Sequence, residues 1–237
     1  MKLSIIIPAY NEEKTISEIL DRVEKVDLGE IKKEIIIVDD GSKDTTLALS
    51  QEFKKGHADV FVYEHKKNRG KGAAVVTGIR KATGDILIIQ DADLEYNPQD
   101  IPRLIAPIVS KKNRVVYGSR LRTKPVFFGK NKTPLLIHFF GNKFLSLITS
   151  VLYGANITDM ETCYKAFDKD VLKGVRLRAH SFDFEPEITA KILKKRIKIL
   201  ELDIKTKPRG YADGKKLHTV RDGTIALFTL IKYRFVN

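Results

Sequence analysis

Short apolar runs alternate with segments of helical periodicity through the first half of the chain. The apolar runs at residues 3–7, 34–38, 60–63 and 86–89 predict buried strands, the first ending at Pro8. Helices are predicted between them, at 12–23 with Asn11 as N-cap, at 44–54, and from the glycine-rich turn at 68–72 to residue 82. This alternation predicts an α/β fold with a mostly parallel central sheet covered by helices on both faces.

The second half has a less regular pattern. Three prolines, Pro98, Pro102 and Pro107, mark a turn and a helix, and neither an internal repeat nor a linker divides the chain, so we expect a single domain over 1–237. The further predicted elements are a strand at 115–117, a loop at 121–133, an apolar helix at 134–153, a basic helix at 187–195, a strand at 197–204, a basic loop at 205–218 and an amphipathic helix at 221–235.

Composition narrows the function classes. The 237 residues carry a formal net charge of +13, which indicates anionic partners such as phosphorylated substrates, an anionic membrane surface or nucleic acid. The single cysteine, Cys163, excludes an intrachain disulfide and fits a reducing compartment. No signal peptide opens the sequence and no apolar stretch reaches the length of a spanning helix, so we expect a cytoplasmic protein that is soluble or peripheral to a membrane.

Two carboxylates follow the apolar run at residues 86–89. Asp91 and Asp93 are two residues apart, so on an extended backbone their side chains point the same way beyond the strand end. Ligands of open α/β sheets bind at that position, and carboxylate oxygens suit Mg²⁺ or Mn²⁺. A solvated turn with the same Asp-x-Asp spacing is the alternative interpretation.

Polar clusters follow two other predicted strands as well. Residues 8–12 (Pro-Ala-Tyr-Asn-Glu) follow the first and residues 39–42 (Asp-Asp-Gly-Ser) the second. In a parallel sheet these clusters and the Asp91–Asp93 pair lie along one edge. An aromatic ring, several acids and a metal pair at one edge predict a pocket for a nucleoside diphosphate.

With Asn-Arg-Gly-Lys-Gly at 68–72 and Gly-Ser-Arg at 118–120, these motifs resemble the family 2 glycosyltransferases. The subgroup most resembled is the polyprenyl (dolichyl) phosphate mannosyl and glucosyl transferases, and segments 158–165 and 184–187 resemble it too. The resemblance implies a Rossmann-like fold of the GT-A type. It assigns nucleotide-sugar binding to residues 1–120, acceptor binding to 121–220 and possible membrane contact to 221–237.

The resemblance also implies roles at matching positions. Catalytic roles fall to Asp91, Asp93 and Arg120, and Asp91, Asp93 and Glu95 would hold the metal, Mg²⁺ or Mn²⁺. Residues expected to contact the nucleotide are Pro8, Tyr10, Glu12, Val38, Asp40, Asp91 and Ala92. The implied reaction inverts the anomeric centre as mannose or glucose moves from GDP-mannose or UDP-glucose to a polyprenyl phosphate.

The acceptor decides whether a base is needed. A lipid phosphate oxygen is already anionic, whereas a sugar hydroxyl of a glycan or surface polysaccharide, the alternative acceptor, requires a carboxylate to take its proton. The candidates for that base are Asp159, Glu161, Glu185 and Glu187. Two lysines of the loop, Lys124 and Lys130, are expected to add positive charge near the phosphates.

The basic charge has two further interpretations. The basic residues between 205 and 221, followed by the apolar residues 225–228, predict an interfacial anchor on an anionic membrane, and helix 134–153 is a second candidate. A nucleic-acid-binding module is the distant alternative, but no helix-turn-helix, zinc-ligand or aromatic-basic sheet signature is present, so no nucleic acid is expected as a partner. The basic run 191–198 is interpreted as a solvated face.

Overall fold

Seven strands form one sheet in the computed structural model, which describes residues 1–122, 136–207 and 219–236. Their bounds are β1 (Lys2–Ala9), β2 (Lys32–Asp39), β3 (Val60–Glu64), β4 (Ile86–Ile89), β5 (Val115–Ser119), β6 (Lys165–Asp168) and β7 (Leu200–Asp203). The helices are α1 (Ile16–Glu24), α2 (Thr46–Lys55), α3 (Lys71–Lys81), α4 (Ile101–Val109), α5 (Leu136–Tyr153), α6 (Phe184–Lys194) and α7 (Thr219–Phe235). Short 3₁₀ turns occupy Pro98–Asp100 and Lys169–Leu172.

The strand order is β3-β2-β1-β4-β6-β5-β7. Parallel pairing joins β3, β2, β1 and β4, and also β5 with β7, which confirms the predicted mostly parallel sheet. Strand β6 runs antiparallel to both β4 and β5 and was not predicted. It has four residues and begins and ends with the charged Lys165 and Asp168, so it lacks an apolar run in the sequence.

Helices cover both faces of the sheet because the side chains of its strands alternate. Ile5, Ile7, Ile35 and Ile37 point to one face, where they pack with the apolar stripes of α1 and α4. Their sequence neighbours, such as Ile6 and Ile36, point to the other face and pack with α3 and α6. A third cluster joins α5 and α7 to the outer side of α6.

The first strand and helix begin and end differently from the prediction. Strand β1 continues through Pro8 to Ala9, since its pairing with β4 stops at Ile6 and the missing N–H of Pro8 leaves no gap on that side. Asn11 is not an N-cap, and α1 begins only at Ile16. Asn11 instead adopts a positive φ of 50° in the connecting turn.

Helix α6 corrects the interpretation of residues 191–198 as a solvated face. Lys191 is 7% exposed, and its ammonium pairs with Glu187 at 2.5 Å in the same helix. The helix also begins earlier than predicted, at Phe184, and β7 is shorter than the predicted strand at 197–204. Five of the eight residues at 191–198 are basic, and the first of them, Lys191, forms a buried ion pair that this composition does not predict.

Two predicted loops fall largely outside the described residues. Only Leu121 and Arg122 of loop 121–133, and residues 205–207 of the basic loop 205–218, are described. The predicted roles of Lys124 and Lys130 therefore lie outside the described residues. Within the described part of the chain, no helix is both long enough and apolar enough to cross a membrane.

Candidate active site

The sheet reverses its direction of growth between β1 and β4. The chain proceeds from β1 outward to β2 and β3, and then returns to place β4 on the other side of β1. Such a switch point opens a crevice at the carboxyl ends of the strands, where α/β proteins bind ligands. The three polar clusters predicted from the sequence all follow strands at this edge.

Asp91, the first residue of the Asp-x-Asp pair, is held by a lysine that the sequence did not single out. The ammonium of Lys71 lies 2.9 Å from Oδ1 of Asp91 and 3.0 Å from Oδ2. It also lies 2.9 Å from Sγ of Cys163 and 3.4 Å from Oε1 of Glu185. Lys71 thus joins β4, the segment before β6, and α6 in one charged cluster.

Burial opposes the charge of Lys71, but its acidic neighbours outweigh that effect. Burial lowers the pKa of the ammonium, whereas the carboxylates of Asp91 and Glu185 raise it, and the net pKa lies well above the usual value. Burial raises the pKa of the Cys163 thiol, and Asp91 raises it further, more than Lys71 lowers it. Lys71 is therefore a fixed positive charge beside a protonated thiol.

The glycine-rich turn brings Lys71 to this position. Gly70 has a φ of 93°, which favours glycine, and it directly precedes α3. A side chain at Gly72 would place its Cβ 2.7 Å from the carbonyl oxygen of Ser181. These glycines therefore let the start of α3 lie close to the backbone of His180 and Ser181.

Asp40, one of the predicted nucleotide contacts, holds the same turn. Its carboxylate accepts hydrogen bonds from the backbone N–H of Arg69 at 3.0 Å and of Gly70 at 2.7 Å. Nδ1 of His65 lies 2.6 Å from Oδ1, and the Asp40 residue is 2% exposed. These three groups occupy most of the acceptor positions of one carboxylate. Contact of Asp40 with a base stays a prediction, and in this structure Asp40 positions the start of α3.

The preceding residue, Asp39, has an acceptor to spare. Its Oδ1 accepts from the backbone N–H of Ser42 at 2.9 Å, while Oδ2 is buried and has no hydrogen-bond partner among the described residues. Buried acceptors without partners are rare and costly in folded proteins. Sequence reasoning passed over Asp39 because it counted only the second Asp of the pair.

The segment after β1 is joined to the segment after β2. The backbone N–H of Asn11 donates to Oγ of Ser42 at 3.0 Å, and that of Lys43 donates to Oδ1 of Asn11 at 2.8 Å. The backbone N–H of Glu12 donates to Oγ1 of Thr46 at 2.8 Å. The predicted nucleotide-contacting residues of these segments differ in exposure: Tyr10 and Glu12 are half-buried, and Pro8 and Val38 are buried.

The proposed metal ligands after β4 lie in a tight turn. Oδ1 of Asp93 accepts from the backbone N–H of Glu95 at 3.0 Å, across Leu94 with a φ of 62°. Asp93 and Glu95 are half-buried, and Ala92 is buried. Among the described residues, no three side chains of the His, Cys, Asp or Glu type gather as a complete metal site. Two carboxylates nevertheless fit Mg²⁺, which commonly completes its shell with substrate phosphates.

Arg120, at the end of β5, is fixed by Asp159. Nε and Nη2 of Arg120 donate to the two Asp159 oxygens at 2.7 and 2.8 Å, and the backbone N–H adds a bond of 2.9 Å. Burial lowers the pKa of the guanidinium, but Asp159 raises it to a net value well above the usual one. The guanidinium carbon lies 6.0 Å from the centre of the Tyr96 ring, whose hydroxyl accepts from the Cys163 N–H at 3.2 Å. Tyr96 and Cys163 therefore link Arg120 to Lys71, whose ammonium contacts the Cys163 thiol.

The four candidate bases divide into two pairs. Asp159 is engaged by Arg120, and Glu187 accepts from the backbone N–H groups of Arg178 and Ala179 as well as from Lys191. These contacts give both of them structural roles.

Glu161 and Glu185 retain unused acceptors. Each has one buried carboxylate oxygen without a hydrogen-bond partner among the described residues. Oγ1 of Thr162, next to Glu161 in the sequence, also has no partner among them. Burial raises the pKa of Glu161, and the negative charge of Glu185 adds to that shift. The other oxygen of Glu185 lies 3.4 Å from Lys71, so the acceptor of Glu185 that has no partner is close to the Asp91–Lys71 pair and suits a hydroxyl group of a ligand.

The sequence is similar to those of known glycosyltransferases. The sequence profile described as glycosyl transferase family 2 matches residues 4–176. The UDP-N-acetylglucosamine–dolichyl-phosphate N-acetylglucosaminyltransferase of Methanococcus voltae is 34% identical over 219 residues, covering 85% of this chain and 84% of the relative. The dolichol-phosphate mannosyltransferase of Pyrococcus furiosus is 32% identical over 198 residues, covering 81% of this chain and 53% of the relative.

Comparison with solved structures supports the fold. Glucosyl-3-phosphoglycerate synthase from Mycobacterium tuberculosis, in complex with Mn²⁺ and UDP-glucose, superposes with a TM-score of 0.73 at 17% identity. The match covers 100% of this chain and 80% of the synthase. This likeness confirms the predicted Rossmann-like α/β fold of the GT-A type.

Proposed function

Because the chain belongs to glycosyl transferase family 2, we propose that it moves a hexose from a nucleotide diphosphate sugar to a polyprenyl phosphate, with inversion at the anomeric carbon. The chain is a glycosyltransferase, and the acceptor and the donor are the proposal. The observation that carries it is the Asp91 carboxylate at the sheet's switch point, facing the Lys71 ammonium at 2.9 Å. A site that joins two carboxylates with fixed cations suits a diphosphate and its counter-ion.

A divalent cation, Mg²⁺ or Mn²⁺, fits the donor set of Asp91 and Asp93, with Glu95 as a proposed third ligand. When bound, it would supply neutralisation of the charge on the nucleoside diphosphate leaving group. The Mn²⁺ bound with UDP-glucose in the mycobacterial synthase supports this assignment. The two metals are both hard cations that prefer carboxylate oxygens, so the donor set alone does not choose between them.

The chain's own cations complete the proposed site. Arg120 is held rigidly by Asp159, so its position costs no reordering when a phosphate arrives, which is how preorganised charges stabilise developing anions. Lys71 balances the charge of Asp91 in the absence of a donor. Asp40 remains a proposed contact of the nucleotide, and we add Asp39, whose Oδ2 has no hydrogen-bond partner among the described residues.

The proposed acceptor is a lipid phosphate because the site then needs no base. A phosphate oxygen is anionic at neutral pH and attacks the anomeric carbon directly. Two relatives, from Methanococcus voltae and Pyrococcus furiosus, are named as transferases of dolichyl or dolichol phosphate, which supports this choice. The donor is proposed as GDP-mannose or UDP-glucose, and the name of the Methanococcus relative adds UDP-N-acetylglucosamine to the candidates.

Thermal stabilisation by nucleotides tests the donor half of the proposal. The melting temperature is measured with GDP, UDP and the three nucleotide sugars, each with and without Mn²⁺. A ligand at 100 times its Kd stabilises the folded state by about 2.7 kcal/mol, which shifts the melting temperature measurably. We expect a metal-dependent rise in melting temperature only with ligands that carry one of the two bases, guanine or uracil. The absence of a shift with all five ligands would contradict the proposal.

A hydroxyl acceptor is the second candidate, favoured by one oxygen each of Glu161 and Glu185 that has no hydrogen-bond partner in the part of the chain that the structure describes. Such an acceptor requires a base within reach, and Glu185 lies 3.4 Å from Lys71 beside the proposed metal site. The variant Glu185→Gln keeps the shape of the side chain and removes its basicity. Loss of transfer with intact donor binding would favour the hydroxyl acceptor, and retained transfer to a lipid phosphate would exclude it.

A further inference from the structure

Helix α5 exposes an apolar stripe between Phe140 and Val151. Phe140, Phe144, Leu147 and Val151 are 54%, 54%, 60% and 73% exposed, and their spacing of four, three and four residues places them on one helical face. The opposite face carries Leu145 and packs into the third core cluster. An amphipathic helix normally turns its apolar stripe inward, whereas α5 has one inward and one outward.

Helix α7 has the same arrangement. Ile225, Phe228, Ile231 and Phe235 are 36%, 68%, 41% and 79% exposed, while Ala226, Leu230 and Tyr233 are buried. The hydroxyl of Tyr153, at the end of α5, donates to the carbonyl oxygen of Leu230 in α7 at 2.7 Å.

The two outward stripes therefore belong to one surface. Helices α5 and α7 pack side by side on the same core cluster, so each turns the face opposite that cluster to solvent. We name these eight residues together the outer α5–α7 face. Monomeric proteins rarely leave so many large apolar side chains exposed together, and such patches mark interaction sites.

The charge of the two helices indicates what the outer face contacts. Helix α5 contains no acidic residue and one basic residue, Lys143. In α7, Arg221, Lys232 and Arg234 outnumber the single acid, Asp222. Phenylalanines bordered by basic residues suit an anionic bilayer surface, where the rings enter the headgroup region and the cations meet lipid phosphates. Two copies of this face would instead bring like charges together in a symmetric dimer.

The outer face is also connected to the candidate active site. On the inward side of α5, Oγ of Ser146 accepts from the backbone N–H of Met160 at 3.0 Å, and Oγ of Ser150 accepts from that of Ile157 at 3.1 Å. These bonds hold the segment that carries Asp159, Glu161 and Cys163. A partner surface that binds α5 is therefore held at a fixed distance from the candidate active site.

We propose that the outer α5–α7 face docks this protein on an anionic lipid bilayer, lying in the interface without crossing it. The purpose of docking rests on the proposed function, because a polyprenyl phosphate presents its headgroup at that interface. The docking itself rests on the exposed apolar residues and the basic charges. It can therefore be tested without any transfer reaction.

The test is co-sedimentation of the full chain with vesicles. One set contains phosphatidylcholine only, and the other contains phosphatidylcholine and phosphatidylglycerol in equal parts. We expect binding to the anionic set, and at least a roughly tenfold weaker partition for the double variant Phe228→Ser and Phe235→Ser. The matched control is Phe61→Ser, because Phe61 is 37% exposed on strand β3 and lies outside the outer face. It should bind like the wild type.

Charge reversal tests the electrostatic part. The variant Lys232→Glu with Arg234→Glu should lose the preference for anionic vesicles, and Lys54→Glu with Lys55→Glu on α2 should keep it. A wild type that binds neither vesicle set would overturn the proposal. So would a wild-type dimer, seen by sedimentation velocity, that the two Phe→Ser changes dissociate while vesicle binding is absent.

A soluble acceptor separates docking from function. With a short, water-soluble polyprenyl phosphate and no vesicles, the Phe228→Ser and Phe235→Ser double variant should transfer sugar at the wild-type rate. A loss of that soluble rate in a folded variant would count against a role limited to docking. Vesicle binding without transfer to any acceptor would support the docking face and contradict only the proposed function.

Discussion

The ammonium of Lys71 lies 2.9 Å from Oδ1 of Asp91 and 3.0 Å from Oδ2, at the position proposed for a divalent cation. A side-chain cation therefore already compensates the carboxylate at the end of β4. Metal binding must displace it or share the carboxylate with it. This relationship makes Lys71 a competitor of the metal for Asp91, which is 8% exposed and has Lys71 as its ion-pair partner.

The competition predicts the effect of Lys71→Met. Without nucleotide, this variant should bind Mn²⁺ roughly tenfold more tightly than the wild type, because one attraction between Asp91 and a fixed charge has been removed. Isothermal titration calorimetry measures the affinity directly. Lys81→Met, at the other end of α3, is the matched control and should leave it unchanged. Weaker Mn²⁺ binding in Lys71→Met would show that the lysine does not compete.

Asp91→Asn and Asp93→Asn should each reduce sugar transfer by about 100-fold or more, because each removes one carboxylate from the proposed metal and diphosphate site. Steady-state transfer rates with saturating metal measure the effect. Asp21→Asn on the exposed side of α1 controls for the loss of one acid. Full activity in either site variant would contradict the metal-site assignment.

Arg120→Ala should lower the free energy of unfolding by about 3–5 kcal/mol, because it leaves the fully buried Asp159 carboxylate without its charged partner. Urea unfolding at neutral pH measures the change. Arg22→Ala is the matched control, since Arg22 pairs with Glu18 on the solvent side of α1 and exposed pairs contribute about 0–1 kcal/mol. Equal losses in the two variants would show that Arg120 is not part of a buried pair.

Stability should fall at acid pH through Glu34 on β2. Burial alone would raise the pKa of this carboxyl, but hydrogen bonds from Lys2, Ser4 and Thr83 outweigh it and lower the pKa from 4.5 to about 2. A depressed pKa means that its contribution is fully present above pH 4.5 and is lost as the pH falls through 2.

Glu34→Gln removes that contribution. The variant should be less stable than the wild type at neutral pH, and the difference between the two should shrink as the pH falls from 4.5 to 2. Chemical unfolding across this range measures the difference. Glu18→Gln, an exposed acid on α1, should show no such convergence. A constant difference across the range would contradict the role of the Glu34 charge.

Much of the first half of the fold could be predicted from sequence because its elements are locally determined. The runs around Ile5, Ile36 and Ile88 are apolar enough to form buried parallel strands wherever they pair, and the stripe of α1 has unbroken helical spacing. The predicted ends of the strands and helices were less accurate. Pro8 continues its strand only because the neighbouring strand stops at Ile6, a fact of sheet pairing that a local pattern does not contain.

The antiparallel strand β6 shows where local patterns fail. Lys165 is fully buried although it is charged, since its ammonium donates to the carbonyl oxygen of Met160 at 2.8 Å and lies 3.8 Å from the centre of the Tyr117 ring. The Tyr117 ring comes from strand β5, which is distant from Lys165 in the sequence. A buried lysine of this kind has the sequence appearance of a surface residue.

The candidate site was predicted by motif and completed by contacts. Asp91 and Asp93 were expected from their position after a strand, and Arg120 was expected from the family resemblance. Lys71, in the glycine-rich turn, was given no role. The hydrogen bonds that Asp40 accepts from Arg69 and Gly70 could not be predicted either, because they join residues about 30 positions apart in the sequence. Long-range hydrogen bonds decide which carboxylates stay open to a ligand, and local spacing does not encode them.

The most direct measurement is transfer of labelled sugar to a short-chain polyprenyl phosphate, compared with the corresponding polyprenol. GDP-mannose, UDP-glucose and UDP-N-acetylglucosamine are tested separately with Mn²⁺, and Asp91→Asn serves as the inactive control. We predict that one donor labels the polyprenyl phosphate, that the polyprenol stays unlabelled, and that Asp91→Asn gives no product. Labelling of the polyprenol or of neither acceptor by every donor would contradict the proposed reaction.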